Sequence, residues 1–171
     1  MPATDTAQRN SSKYLPCLLT RLTDEHPFST SDTEYGASFL PEQLKKDILT
    51  NLTMLLNSHT APAETRRLRA LYPLVAASGY HFGIDSSTGL TASAERPEII
   101  AASVRRALRE FEPRLAPESI QVSVDTDIAA AHDRTSVHLT ISSRLAVKPL
   151  TEDMVFRLRV DVETGEMSLT P

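Results

Sequence analysis

Residues 156–165 read Phe156-Arg157-Leu158-Arg159-Val160-Asp161-Val162-Glu163-Thr164-Gly165. Phe156, Leu158, Val160 and Val162 alternate with Arg157, Arg159 and Asp161, a period of two that predicts a β-strand with one dry and one wet face. Glu163-Thr164-Gly165 reads as a hairpin turn leading into Met167 and Leu169. Working backwards, Val137, Leu139 and Ile141 form a second alternating set. Ile120, Val122 and Val124, interleaved with Gln121, Ser123 and Asp125, form a third. Strands that are apolar on one side only predict a mainly antiparallel sheet covered on a single face.

Upstream the period lengthens. Leu44, Ile48, Leu49, Leu52, Leu55 and Leu56 make a helical stripe that starts at Pro41, with Lys45, Lys46, Asp47 and Asn51 expected opposite. Ile100, Val104, Ala107, Leu108 and Phe111 share a second helical face, which Pro113 ends. Tyr14, Leu15, Leu18, Leu19 and Leu22 predict an earlier helix capped by Ser11 or Ser12, and residues 63–70 a short basic one. Residues 26–38 read as a loop. Tyr72, Tyr80 and Phe82, set among Pro73, Gly79 and Gly83, predict an ordered crossing whose aromatics are buried. Helices first and strands last give an α+β fold, with N-terminal amphipathic helices packed on one face of a C-terminal, mainly antiparallel sheet. Residues 1–12 are expected to be a disordered tail and 13–171 a single domain.

The 171 residues are 40% apolar with a net charge of -4. That composition supports a core without disulfides and argues against a nucleic-acid surface. No apolar run is long enough to span a bilayer and no signal peptide is evident, so the chain is expected to be cytoplasmic. Walker, nucleophile-elbow and dinucleotide patterns are absent. The glycines of 83–89 resemble a phosphate cradle but lack its lysine. His26, His59, His81, His132 and His138 show no ligand spacing, and Cys17 has no partner cysteine, so neither metal nor cofactor is expected. Cys17 reads as a buried structural thiol. Arg66, Arg67 and Arg69, and separately Arg105, Arg106 and Arg109, read as solvated helix faces that an acidic partner could use.

One local feature stands apart: Phe111-Glu112-Pro113-Arg114-Leu115. Phe111 and Leu115 suit core anchors and Pro113 stiffens the turn. Glu112 and Arg114 lie two positions apart, close enough for an ion pair. A helix C-cap, with Arg114 on the last carbonyls, and a rigid charged docking point both fit the pattern.

At this motif the chain resembles the TssE family of type VI secretion systems, within the superfamily of phage baseplate wedge proteins. Glu112-Pro113-Arg114 is similar to the family's Glu-Pro-Arg signature. Leu15-Pro16-Cys17-Leu18-Leu19-Thr20-Arg21-Leu22 resembles its N-terminal Leu-Leu-x-Arg-Leu helix. Leu55-Leu56-Asn57, Tyr72-Pro73, Ser78, Phe82-Gly83 and Val160-Asp161-Val162-Glu163-Thr164-Gly165 follow in the family's order, across 14–169. Met54 and His81 depart from it, standing where tryptophan and asparagine are usual. The resemblance implies a non-enzymatic baseplate subunit held by TssF and TssG and touching the sheath proteins TssB and TssC. It implies partner binding by Glu112, Pro113 and Arg114, and membrane association only through the assembled machine. It also brings three rivals: a phage or phage-like tail wedge, which sequence barely separates from the type VI subunit, an anti-adaptor-type regulatory binder, and a lysozyme-like hydrolase. For the hydrolase, Glu112 is the one prominent carboxyl, and Arg114 beside it favours the ionised form over the acid that such chemistry needs.

Overall fold

A computed structural model describes residues 17–23, 27–28, 41–86, 96–125, 136–147 and 151–170. The expected tail, most of the 26–38 loop, His26 and His132 lie outside them. The elements in order are α1 (Leu18–Leu22), α2 (Pro41–Leu56), β1 (His59–Thr60), α3 (Pro62–Leu71), α4 (Pro73–Ala76), β2 (Ile84–Asp85), α5 (Arg96–Phe111), β3 (Gln121–Val124), β4 (Ser136–Arg144), β5 (Asp153–Asp161) and β6 (Met167–Thr170). Single 3-10 turns occupy Gly79–His81 and Pro117–Ser119. The chain divides between Ile48 and Leu49 into two compact units.

In the first unit, α1 begins at Leu18, and Tyr14 and Leu15, expected on the same helix, lie outside the described residues. Cys17 is its N-cap, with the sulfur accepting from the Thr20 amide. Leu18, Leu19 and Leu22 are exposed, and Cys17 is half-buried rather than part of a core. Asp47 is not on a wet face either. It is buried, and its carboxylate accepts from the Cys17 amide and the Thr20 hydroxyl. Two donors distant in sequence thus outweigh the helical periodicity that placed Asp47 outside. The rest of the α2 stripe follows its pattern, since Leu44, Ile48, Leu52, Leu55 and Leu56 are all buried.

In the second unit the sheet runs β3-β4-β5-β6, antiparallel throughout. Val122, Ile141 and Phe156 align across three strands, and Val137, Val160 and Met167 do the same, all on the buried face. The opposite face carries Ser123, Thr140, Arg157 and Ser168. The strand expected to run through Val162 ends at Asp161, whose carboxylate accepts from the Glu163 and Thr164 amides and folds Val162 into the turn. Gly165, at φ 79°, completes the turn as a one-residue bulge.

α5 packs on β3 and β2 with Ile100, Ala101, Val104, Ala107 and Leu108 buried. Its arginines reach back into the unit. Arg105 donates to the Val122 carbonyl (2.7 Å), Arg106 pairs with Asp85 (2.6 Å) and Arg109 donates to the Pro117 carbonyl (3.2 Å). Arg105 and Arg106 are therefore half-buried and not part of a solvated face, while Arg109 stays exposed. β1 and β2 form a two-residue parallel pair that periodicity does not reveal. Tyr72 and Tyr80 are exposed, against expectation. Among the crossing aromatics Phe82 is half-buried, edge-on to Phe111 at 5.3 Å. The polar His81 anchors this crossing instead, buried with its Nε2 2.7 Å from the Thr65 hydroxyl.

Candidate functional site

Glu112 follows the last residue of α5, and its amide still donates to the Leu108 carbonyl. Pro113 and Arg114 then turn the chain, closed by the Leu115 amide on the Glu112 carbonyl (3.2 Å). Arg114 Nε donates to Glu112 Oε1 and Nη2 to Oε2, each at 2.7 Å, and the Arg114 amide adds a third bond to Oε1 (3.2 Å). This is the bidentate fork, in which planar guanidinium matches planar carboxylate. The guanidinium turns to Glu112 across the turn. Glu112 is buried, at 4% exposure, while Pro113 is exposed and the Arg114 side chain keeps 20%.

Backbone bonds weld this corner to the sheet. Ala146 donates to the Arg114 carbonyl (2.7 Å) and Ala116 to the Arg144 carbonyl (2.8 Å), with Leu115 and Leu145 bridged and fully buried between them. Of the expected anchors Leu115 is complete and Phe111 half-buried. The carboxylate is consumed within the chain. What keeps exposure at the corner is Pro113, with part of the Arg114 side chain.

The sheet edges are a second place where another chain could engage, and β3 and β6 are the outer strands. Asp125 donates to the His138 carbonyl, so alternation along the ladder turns the backbone groups of Val122 and Val124 outward. Arg105 takes the Val122 carbonyl. Asp161 donates to the Glu166 carbonyl, which by the same rule turns Met167 and Leu169 outward on β6. The Asn57 side chain closes half of that edge: its Oδ1 accepts from the Met167 amide and its Nδ2 donates to the Met167 carbonyl, both at 2.9 Å. Nδ2 also donates to the Thr53 carbonyl at the end of α2 (2.9 Å), so every polar atom of this amide is used. The outward groups of Val124 and Leu169 carry no such partner among the described residues.

A half-buried polar chain is barely legible in the sequence. Arg69 holds Glu110 with two bonds (2.5 and 2.7 Å), and Arg106 bridges Glu110 and Asp85. The Asp85 amide donates to Ser103 Oγ (2.9 Å). Burial alone would raise the Asp85 carboxyl; bonds from Arg106, Thr65 and Thr60 and the Arg106 charge outweigh it and hold the group below its ordinary value. The one sequence signal was charge complementarity between α3 and α5, with no way to tell which pairs meet. The charges pair with one another, although Arg69 Nε is buried without a partner among the described residues, and paired charges of this kind mark a staple. Among the described residues no group of His, Cys, Asp and Glu is placed to hold a metal ion. No helix among them is long and apolar enough to cross a membrane.

A protein-family model described as baseplate wedge protein gp25 matches residues 42–150. No curated protein and no solved structure matches the chain. The matched span is well over half of the 171 residues and runs from α2 through Glu112-Pro113-Arg114 past the end of β4, and the chain belongs to the baseplate wedge protein gp25 family.

Proposed function

We propose that the chain is a non-catalytic structural subunit of a type VI secretion baseplate. It joins the TssF–TssG wedge to the first ring of the TssB–TssC sheath, at the cytoplasmic side of the inner membrane. Family membership supports the baseplate role. The ordered blocks from Leu18-Leu19 to Gly165 favour the type VI branch.

The observation that carries the docking role is the corner at Glu112-Pro113-Arg114. A buried carboxylate fixes its arginine and leaves a rigid ridge at Pro113 with part of Arg114 exposed. A preset surface loses little entropy on docking. A group of the wedge meets the ridge at Pro113 and the exposed part of Arg114. In this reading Glu112 acts by positioning Arg114 and Pro113 makes the contact.

Reversing Arg114 alone would set two carboxylates together in a buried corner and confuse folding with docking. The paired exchange Glu112→Arg/Arg114→Glu keeps an ion pair and inverts what the corner presents. Its melting transition should stay cooperative while co-purification with TssF and TssG is lost. Undiminished co-purification of the exchanged protein would overturn the reading.

For the sheath, the free groups on Val124 and Leu169 make β3 and β6 the candidate edges for strand addition. Proline at either position removes an outward N–H without touching the internal ladder. Val124→Pro or Leu169→Pro should stop sheath assembly, and normal assembly with both variants would refute strand addition.

A further inference from the structure

Five large apolar or aromatic side chains on the end of α3, the start of α4 and the 3-10 turn that follows all face solvent: Leu71, Tyr72, Leu74, Val75 and Tyr80, with Leu74 at 87% and Tyr80 at 81% exposure. The backbone beneath them is pinned. Tyr72 donates to the Leu68 carbonyl, Ala77 to Pro73 and His81 to Ser78. Ser78 Oγ bonds the Val75 carbonyl, Ala76 is buried, and the His81–Thr65 bond ties the far end of the segment to α3. The surface is therefore preorganised and apolar, a combination that single exposed residues elsewhere do not produce.

Its border is cationic. Arg66 and Arg67 are exposed on α3, and Arg67 lies one helical turn from Leu71, on the same face. Among the described residues neither has a carboxylate partner, whereas Arg69, Arg106, Arg114 and Arg144 each do. Two exposed cations without an ion pair, with only Glu64 as an acid on the same helix, give this border a positive field on a chain of net charge -4.

We infer that the Leu71–Tyr80 surface, bordered by Arg66 and Arg67, docks an acidic amphipathic helix of another protein. Apolar residues spaced three and four apart on that helix cover Leu71, Leu74 and Val75. Tyr72 and Tyr80 supply flat amphipathic contact area, and carboxylates on the flank meet the two arginines. A second copy of this chain fits poorly, because a two-fold contact through the patch brings the arginines of both copies towards each other. The overall negative charge disfavours nucleic acid. The surface is separate in sequence from the Glu112 corner and both sheet edges, so the inference does not depend on the roles proposed for them.

The test places a photo-crosslinking phenylalanine analogue at position 74, and separately at position 80, in the full chain within its own cells. The crosslinked peptide is then sequenced. The expected product is a different polypeptide, joined through a segment with Asp or Glu flanking apolar residues at helical spacing. That segment, made as a peptide, should lose roughly tenfold or more in affinity for Leu74→Asp, which removes a buried anchor. It should also bind Arg66→Glu/Arg67→Glu more weakly, and a peptide with its acids changed to lysine should recover binding to that variant. Both variants should melt with the wild type, since the altered side chains are exposed. Crosslinks confined to this chain or a second copy of it, crosslinks to a segment without acidic residues, or none at all would each overturn the inference.

Discussion

A Cβ added at Gly83 would collide with the Ser58 carbonyl oxygen, and the backbone there sits at φ 127°, a region closed to L side chains. That carbonyl accepts the Ile84 amide, the bond that starts the β1–β2 pair. Gly83→Ala should therefore cost about 2–4 kcal/mol in urea unfolding, and a loss under about 0.5 kcal/mol would show that the approach relaxes cheaply. The Phe82-Gly83 block was visible in the sequence. Its reason was not, because closeness to Ser58 is a tertiary fact. Ser143 is the opposite case. Its hydroxyl is buried on β4 with no hydrogen-bond partner among the described residues, so Ser143→Ala should be neutral or raise stability by about 1 kcal/mol. A clear loss in thermal melting would point to a bond the geometry does not contain.

Among the elements, the end of α5 depends most on one pair. Arg114→Ala leaves the Glu112 carboxylate buried without its counter-charge, and should destabilise by about 3 kcal/mol by chemical denaturation. Replacing both residues with apolar ones should recover much of that loss, because the pair's own net contribution is small. Sequence reading found this corner because its partners are two residues apart. It found the strands because period two needs only near neighbours, and it failed where the deciding contact was distant. Asp47 lies within a helical stripe whose phase points it outward, yet donors some thirty positions away hold it inside. Tyr72 and Tyr80 looked like core because aromatics usually are. Pro73 starts a new helix that turns them out, and a histidine–threonine bond replaces the aromatic anchor.

At the scale of the whole molecule, acid is the informative perturbant. Asp85 is held below its ordinary carboxyl value by Arg106 and its threonine neighbours against the cost of burial, and Asp161 by the Thr164 and Glu163 amides. A folded-state value below the unfolded one means stability present above the unfolded value and lost as pH falls through the folded one. Urea midpoints should therefore hold down to about pH 4 and fall below it. Asp85→Asn should start lower and flatten that acid limb. An unchanged slope would mean that Asp85 binds its proton equally in both states. Charge pairing across α3, β2 and α5 thus unites a unit whose two sheets share no strand, an organisation composition alone could not convey.

Asn57 acts on β6 as a strand one residue long. Its amide offers Met167 the same donor and acceptor that a neighbouring main chain would, from a side chain that can rotate. A polypeptide arriving along this edge meets an occupied position and must exchange bonds there, gaining new main-chain bonds only at Leu169. With half of the backbone term cancelled, discrimination between a fitting strand and any other extended segment passes to the side chains. An edge closed in this way resists chance pairing in a crowded cell, yet yields to a partner whose side chains fit well enough to displace one amide.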